Sequence, residues 1–199
     1  MSHEDERRAR TRDEAFTAKS QLMSADDVRR ALTRMAHEIV ERNHDLSTLS
    51  IIGLQTGGRD VASTLASILS DVAGSSITAG VLDVSFYRDD LSRNPIPTSS
   101  ATHIDHDLTD RTVVLVDDVL YTGRTIRAAL NALSDWGRPS AVQLAVLVDR
   151  GHRELPIRPD YVGKNLPTSR AEHVHVRLRE LDGIDEISIA AAHTAGVVA

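Results

Sequence analysis

The residues best suited to chemistry lie in one segment, from Val113 to Thr125. It begins with a short apolar run, Val113 to Val116, that predicts a buried strand. Two carboxylates follow, and the Thr-Gly-Arg-Thr sequence at 122–125 predicts the start of a helix. In an open α/β sheet a ligand binds beyond the carboxyl ends of the strands, and the N–H groups that begin a helix favour an anion. The segment therefore predicts a phosphate-binding site.

The acidic pair Asp117-Asp118 predicts which other part of the ligand is bound. Two carboxylates repel a phosphate placed beside them, whereas the two hydroxyls of a ribose can donate to both. An ordinary strand–turn–helix with solvated acids is the alternative, and the Thr-Gly-X-Thr turn argues against it. The Gly-Lys-Ser/Thr ending of a Walker A loop is missing, and a phosphoryl-accepting aspartate would leave the turn unexplained. We therefore expect a sugar phosphate.

Helices and strands alternate around this segment. Apolar spacing predicts helices over about 25–42 and 59–70 and a third after Thr125, and a Ser24/Asp27 capping box begins the first. Strands are expected near 50–54, 77–87, 113–116 and 142–148, with a late, half-exposed strand at 174–178. This order predicts a doubly wound, mainly parallel sheet flanked by helices. We expect one domain over 24–190 and a disordered tail over 1–23.

A long stretch without periodicity, 92–110, contains Pro95 and Pro97 and predicts a loop. Long loops inside compact domains are functional lids or disordered segments. His103 and His106 lie there beside acidic residues, but without further organised ligands. We therefore assign no metal ligand to the protein.

Composition excludes several functions. The chain has 199 residues, no cysteine and a net charge of −6, so thiol chemistry is excluded and general affinity for nucleic acid is not indicated. No apolar run reaches the roughly 18–20 residues of a membrane helix, and the charged N-terminal stretch, rich in acids, fits neither a secretory signal nor a transit peptide. A cytoplasmic protein without a membrane partner is expected.

One helix face is locally basic. Arg30, Thr33, Arg34 and His37 lie opposite the apolar stripe of the first predicted helix. From composition alone, a solvated surface is the favoured interpretation, because exposed basic faces are common on soluble helices.

Several segments carry a resemblance to a known family. Val113–Thr125 resembles the phosphoribosyl pyrophosphate (PRPP) motif of type I phosphoribosyltransferases. Over about 22–180 the chain is similar to the bacterial pyrimidine operon regulators of that fold, through the segments 31–34, 87–91, 117–125, 137–139, 149–156 and 161–165. The resemblance implies the type I phosphoribosyltransferase fold with a small hood, formed by Arg150 to Lys164 around the uracil.

The activity that the resemblance implies is twofold. The first part is transfer of a phosphoribosyl group from PRPP to uracil, giving UMP and pyrophosphate, with Mg²⁺ held mainly through PRPP. The second is binding of a pyrimidine operon mRNA stem-loop, dependent on UMP or UTP, by a homodimer or an assembly of dimers. Two alternatives stay open: a nucleotide-sensing RNA-binding regulator with little catalytic activity, and a transferase for another base without an RNA role.

The resemblance also implies site residues. Asp117, Asp118 and Arg88 are the expected catalytic residues, and 88 to about 109 is the expected flexible loop. Substrate-binding positions are Thr56, Gly57, Gly58, Val113, Val114, Leu115, Val116, Asp117, Asp118, Val119, Leu120, Tyr121, Thr122, Gly123, Arg124, Thr125, Tyr161, Val162 and Gly163. RNA-binding positions are Thr33, Arg34, His37, Arg42, His152, Arg153, Arg158 and Lys164.

One position departs from the family pattern. The family has Thr-Arg-Gly in its pyrophosphate loop, whereas this chain has Thr56-Gly57-Gly58 and then Arg59. A guanidinium beside pyrophosphate makes strong bidentate contacts, so its absence predicts weak catalysis. Gly57→Arg is expected to raise the uracil transferase activity.

Overall fold

The computed structural model describes residues 16–55, 57–87, 102–178 and 186–192. The helices are α1 (Ala25–Arg42), α2 (Gly57–Ala73) and α3 (Arg124–Leu133). The strands are β1 (Phe16–Met23), β2 (Leu49–Leu54), β3 (Ala79–Leu82), β4 (Thr112–Leu120), β5 (Ala141–Asp149), β6 (Tyr161–Asn165), β7 (Glu172–Arg177) and β8 (Glu186–Ala192).

The central sheet has five parallel strands in the order β3-β2-β4-β5-β6. One face packs on α1 and α2, through a core that includes Leu32, Met35 and Leu65. The other face packs on α3, through a second core that includes Leu115 and Ile126. The predicted doubly wound parallel sheet is therefore confirmed.

Helix α1 follows its sequence pattern closely. Its N-cap is Ser24, whose hydroxyl accepts from the Asp27 N–H at 3.3 Å while the Asp27 carboxylate accepts from the Ser24 N–H at 3.0 Å. The Ser24 hydroxyl also donates to the Asp27 carboxylate, at 2.7 Å; this bond, the Ser24 N–H and the Arg30 guanidinium lower the pKa of Asp27 to about 2. The apolar stripe, Val28, Leu32, Met35 and Ile39, is fully buried. The predicted boundaries, capping box and buried face are all confirmed.

A second, three-stranded antiparallel sheet, β1-β8-β7, forms beside the main one, and we call it the hood. The prediction of a tail is wrong for residues 16–23, because they form β1 and pair with β8 from the opposite end of the chain. That pairing is tertiary and leaves no local pattern to detect. Residues 1–15, the rest of the predicted tail, lie outside the described part of the chain.

The hood is not built from the residues expected for it. Of the predicted span 150–164, the last residues belong to β6, the edge strand of the main sheet, which pairs with β5. The segment is short and polar at its end, so periodicity did not indicate a strand. The predicted late strand is confirmed as β7, a half-buried hood strand.

The loop expected over 92–110 is anchored at its far end. His103 forms a β-bridge with Val81, and Ile104 and Leu108 are buried in the α3-side core. His106 Nε2 lies 2.8 Å from the Ser50 hydroxyl. The prediction of a flexible loop is therefore wrong for 102–109, because apolar anchors hold this segment to the sheet. Residues 88–101 lie outside the described ranges.

Within the described residues, no helix is both long and apolar enough to cross a membrane.

Candidate active site at the carboxyl end of β4

The acidic pair lies inside β4, which continues to Leu120 instead of ending at the aspartates as predicted. The extension is held by pairing with β5, where Leu120 lies opposite Asp149. Asp117 is buried and accepts from the Asp118 N–H at 3.0 Å. Asp118 accepts from the Val119 N–H at 2.7 Å. The strand thus fixes both carboxylates through its own backbone.

Burial raises the pKa of Asp118 above the usual range of a carboxyl group, and the nearby Asp60 carboxylate raises it further. The N–H donors of Val119 and of Asp118 itself act in the opposite direction and do not cancel the effect. Asp60 is itself buried and pairs with Arg59 at 3.0 Å. Positive charge or hydroxyl donors brought by a ligand would relieve this concentration of negative charge.

The pyrophosphate loop meets the acidic pair directly. A Cβ placed on Gly57 would overlap the Asp118 carboxylate, and one placed on Gly58 would overlap the Val116 carbonyl. The two glycines, at the start of α2, therefore allow the backbone to pass against the end of β4. Thr56, the first residue of the predicted loop, lies outside the described ranges.

The phosphate loop runs from Tyr121 to Thr125 and leads into α3. Gly123 is the N-cap of α3 with φ +92°, a conformation that favours glycine. The Thr122 carbonyl accepts from the N–H groups of Glu154 and Leu155, at 3.0 and 3.2 Å. The Arg124 N–H donates to the Thr122 hydroxyl at 3.4 Å. Helix α3 thus begins directly beyond the strand end, where the sequence predicts a phosphate site and where helix N–H groups favour an anion.

Some residues predicted to bind substrate have side chains that pack in the protein core and support the acidic pair. Val113, Val114, Leu115 and Val116 are fully buried, and Leu120 is nearly so. Val119 packs against the core on the α1 and α2 side. The side chains of Val113–Val116 and Leu120 fill the two cores and carry the acidic pair. Any contact of these positions with substrate, which stays a prediction, would therefore come from their backbone.

Arg150, expected from the resemblance only as the first residue of the hood, contacts the phosphate loop. Its guanidinium stacks on the Tyr121 ring with 4.2 Å from Cζ to the ring centroid. It also donates to the Thr168 hydroxyl at 3.1 Å and to the carbonyls of Ser169 and Glu172 at 3.0 and 2.6 Å. Arg150 is 5% exposed, so it joins the phosphate loop to the segment leading into the hood. Its position directly after a buried strand was the available signal.

Two predicted RNA-binding residues also turn toward the phosphate loop. Arg153 donates to the Tyr121 carbonyl at 2.8 Å and to the Asp149 carboxylate at 2.6 Å. His152, with φ +59°, lies 2.5 Å from the Thr168 carbonyl through Nε2 and contacts the Tyr121 ring edge-on. Both side chains are partly buried.

The predicted base-binding residues divide between backbone and core. Tyr161 is buried, and its hydroxyl donates to Gln143 at 2.7 Å. The Tyr161 ring packs in the core beside α1, so contact of this position with the base, which stays a prediction, would come from its backbone. The carbonyls of Val162 and Gly163 both accept from Arg34, at 2.8 and 2.9 Å.

The remaining predicted RNA positions lie on or near α1 and β6, which pack against each other. Arg42 pairs with Asp160 at 2.6 Å and its guanidinium lies over the Tyr161 ring. This set, together with Arg153 and His152, is called the basic surface below. Its exposed or partly exposed members on α1 and around β6 are Thr33, Arg34, His37, Arg42, Arg158 and Lys164.

Arg88, the third expected catalytic residue, lies outside the described ranges. Among the described residues, no group of three or more histidine, aspartate or glutamate side chains is arranged to hold a metal ion. The acidic pair offers carboxylate oxygens only.

An acidic pair near the carboxyl end of a strand, followed by a glycine-capped helix start, is typical of sites that bind a nucleotide or sugar phosphate. Residues 20–181 match the family described as the phosphoribosyl transferase domain, and the chain is a member of that class. The bifunctional protein PyrR of Deinococcus radiodurans is 58% identical over 174 residues, 86% of this chain and 94% of the relative. The chain therefore belongs to the PyrR family, as the sequence resemblance predicts.

Other relatives agree. The bifunctional protein PyrR of Chloroflexus aurantiacus is 56% identical over 170 residues, 85% of this chain and 93% of the relative. That of Bacillus velezensis is 51% identical over 174 residues, 86% of this chain and 96% of the relative. Among solved structures, Trypanosoma cruzi hypoxanthine phosphoribosyltransferase matches with a TM-score of 0.67 at 18% identity, covering 88% of this chain and 98% of that one. This likeness confirms the type I phosphoribosyltransferase fold.

Proposed function

We propose that the chain transfers the phosphoribosyl group of PRPP to uracil and, with a uridine nucleotide bound, binds pyrimidine operon mRNA. The single observation that carries the first half is the meeting of the Asp117-Asp118 pair with two loops, Gly57-Gly58 on one side and Tyr121–Thr125 on the other. PyrR-family membership supports the choice of pyrimidine and RNA.

The acidic pair serves the ribose. The 2′ and 3′ hydroxyls of PRPP donate to Asp117 and Asp118, and the 5′-phosphate accepts from the N–H groups at the start of α3. As the C1′–O bond to pyrophosphate breaks, positive charge develops on the sugar, and the carboxylates stabilise it. The catalytic role of both aspartates is therefore electrostatic and positional.

Bond making follows at the same carbon. N1 of uracil forms the new bond to C1′, pyrophosphate leaves with the electron pair of the broken bond, and the N1 proton passes to solvent or pyrophosphate. No side chain acts as a nucleophile. The backbone of Val162 and Gly163 is the proposed partner of the base, and the protein contributes orientation and exclusion of water.

Mg²⁺ fits this site. Asp118, which lies near the Asp60 carboxylate, and Asp117 suit a cation that keeps most of its ligands from substrate oxygens and water. When bound, Mg²⁺ neutralises the charge of the leaving pyrophosphate. Arg88 is the proposed protein cation for the same charge.

The proposed RNA site is the basic surface. Arginine, lysine and histidine recognise structured RNA through phosphates, 2′-hydroxyls and unstacked bases. The net charge of −6 makes this a local property, not a global one. We propose that the active form is a homodimer or an assembly of dimers and that it acts in the cytoplasm on the operon transcript.

One experiment tests both halves. Initial rates with PRPP are measured for uracil, hypoxanthine and guanine, and a gel shift with a synthetic pyrimidine operon stem-loop RNA is run with and without UMP. Turnover of uracil alone, with a UMP-dependent shift, is the expected result.

A shift without turnover would favour the second candidate, a nucleotide-sensing regulator. The observation that favours this candidate is Gly57, where the family has arginine. Turnover of another base without a shift would overturn the proposal.

A further inference from the structure

Two arginines of the basic surface donate hydrogen bonds to the backbone of the proposed nucleotide site. Arg34 is on α1, yet one of its terminal nitrogens donates to the carbonyls of Val162 and Gly163, at 2.8 and 2.9 Å. The other terminal nitrogen pairs with Glu38 at 2.6 Å. Its side chain is 49% exposed. Arg34 therefore binds the proposed base-binding backbone while about half of its side chain remains exposed to solvent.

Arg153 reaches the other half of the same site. It donates to the carbonyls of Tyr121 and Leu120, at 2.8 and 3.4 Å, and to the Asp149 carboxylate at 2.6 Å. A further bond of 3.0 Å joins its Nε to the Ile157 carbonyl. The side chain is 21% exposed. A guanidinium has five N–H donors, and those of Arg153 join the start of the phosphate loop, at Tyr121, to the end of β4 and to the 149–157 segment.

Other cations of the basic surface differ from these two. Arg158 and Lys164 are exposed, so their charged groups can meet RNA directly. Arg34 and Arg153 instead hold the backbone of the two segments that a nucleotide is proposed to bind, the base strand and the phosphate loop. Removing either of them removes a support of the nucleotide site as well as a charge of the basic surface.

We propose that Arg34 and Arg153 are positioning residues that couple nucleotide occupancy to RNA binding, an inference that rests on the proposed function. A nucleotide fixes the Val162–Gly163 backbone and the Tyr121 loop, and these carbonyls in turn fix the two guanidinium groups. RNA then meets an ordered surface and loses less conformational entropy on binding. Without nucleotide, the same groups are less restrained, and RNA binds more weakly.

Thermodynamic linkage makes this coupling measurable from both sides. If UMP raises RNA affinity by some factor, RNA raises UMP affinity by the same factor. Couplings of this kind are typically about 5- to 150-fold. Residues that only contact RNA lower its affinity with and without UMP alike, whereas coupling residues change the ratio of the two affinities.

The test measures the affinity of a synthetic pyrimidine operon stem-loop RNA without UMP and at saturating UMP. The variants are Arg34→Gln and Arg153→Lys, compared with Arg158→Gln on the same surface and with Arg29→Gln, an exposed arginine of α1 paired with Asp26. We expect the UMP effect to fall to roughly 3-fold or less in Arg34→Gln and Arg153→Lys, below the range typical of coupled sites. Arg158→Gln is expected to lose RNA affinity equally under both conditions, and Arg29→Gln to match the unsubstituted protein.

Arg153→Lys keeps the positive charge but not the planar array of donors, so a loss of the ratio reports position, not charge. Thermal unfolding shows that each variant is folded. A direct UMP titration shows that the nucleotide is bound when RNA is added. A uniform loss of RNA affinity in Arg34→Gln and Arg153→Lys, with the ratio unchanged, would overturn the inference. If UMP has no effect on RNA binding by the unsubstituted protein, the proposed function itself fails instead.

Discussion

The two loops that meet the acidic pair are built on opposite principles. The phosphate loop is held by side chains from elsewhere: Arg150 stacks on Tyr121, and Arg153 binds two carbonyls of the loop and the strand end. The pyrophosphate loop depends on the absence of side chains, because a Cβ at Gly57 or Gly58 would overlap atoms of β4. The first loop can be weakened by deleting atoms and the second by adding them.

The largest expected effect is on stability, from Gly58→Ala. Its Cβ would overlap the Val116 carbonyl, part of the backbone of the central strand, which cannot rotate away. Overpacking of this kind costs roughly 1–3 kcal/mol, and we expect the upper end because the obstacle is backbone. Urea unfolding monitored by circular dichroism gives the value. Gly74→Ala is a poor control because of its positive φ, so Ser67→Ala, in the middle of α2, serves instead. An unchanged midpoint would show that α2 can shift.

The second effect separates charge from space at Gly57. Any side chain there must displace the Asp118 carboxylate, which Gly57→Ala does without adding charge. Gly57→Arg displaces it too and supplies a guanidinium for pyrophosphate, and a hydrogen bond to a charged group contributes roughly 1.5–3 kcal/mol. We expect kcat/KM for PRPP to fall in Gly57→Ala and to exceed that of the unsubstituted protein in Gly57→Arg. If both variants lose activity to the same extent, Asp118 placement outweighs the added charge.

The comparison also explains what the sequence could predict. Helix α1, the acidic pair and the Thr-Gly-X-Thr turn were all predictable, because capping, 3.6-residue spacing and a glycine N-cap are local properties. Strand β6 was not, since Tyr161–Asn165 is short and polar at its end and becomes a strand only by pairing with β5. The hood likewise requires β1 and β8 from the two ends of the chain.

The site shows the same division. Asp117 and Asp118 were identified from type and spacing, but the contact of Gly57 with Asp118 and the support of Tyr121 by Arg150 depend on tertiary placement. Arg34 and Arg153 were assigned to RNA from the resemblance alone, and their bonds to the nucleotide site are visible only in three dimensions. Sequence patterns identify which groups are available; packing decides which groups they touch.

A third, smaller effect concerns the support of the phosphate loop. Tyr121→Phe keeps the aromatic face under Arg150, whereas Tyr121→Leu removes it. A cation–π contact is worth about 0.5–2 kcal/mol, so Tyr121→Leu is expected to weaken UMP binding by roughly 2- to 30-fold and Tyr121→Phe to leave it near the original value. Isothermal titration calorimetry with UMP measures both. Equal weakening in the two variants would assign the role to the hydroxyl group instead of the ring.

The smallest effect is a change in pH dependence. Burial and then the Asp60 carboxylate raise the pKa of Asp118, and the proposed transfer requires Asp118 ionised to accept from a ribose hydroxyl. The acid limb of kcat/KM therefore lies above the range of an ordinary carboxyl group and moves to lower pH in Asp60→Asn. Asp71→Asn, at an exposed position of the same helix, is the matched control.

Stability responds to pH in the opposite direction. Because folding raises the pKa of Asp118, its contribution to the free energy of unfolding is present below the unfolded pKa and is lost as pH rises through the folded value. Asp60→Asn weakens the repulsion of ionised Asp118, so that loss becomes smaller. Ionisation of Asp118 therefore acts on both curves: as pH rises through its folded pKa, activity increases and stability decreases. In Asp60→Asn both changes are expected at lower pH. An acid limb that does not move in Asp60→Asn would mean that burial alone sets the ionisation of Asp118, and that α2 contributes space to the acidic pair but no charge.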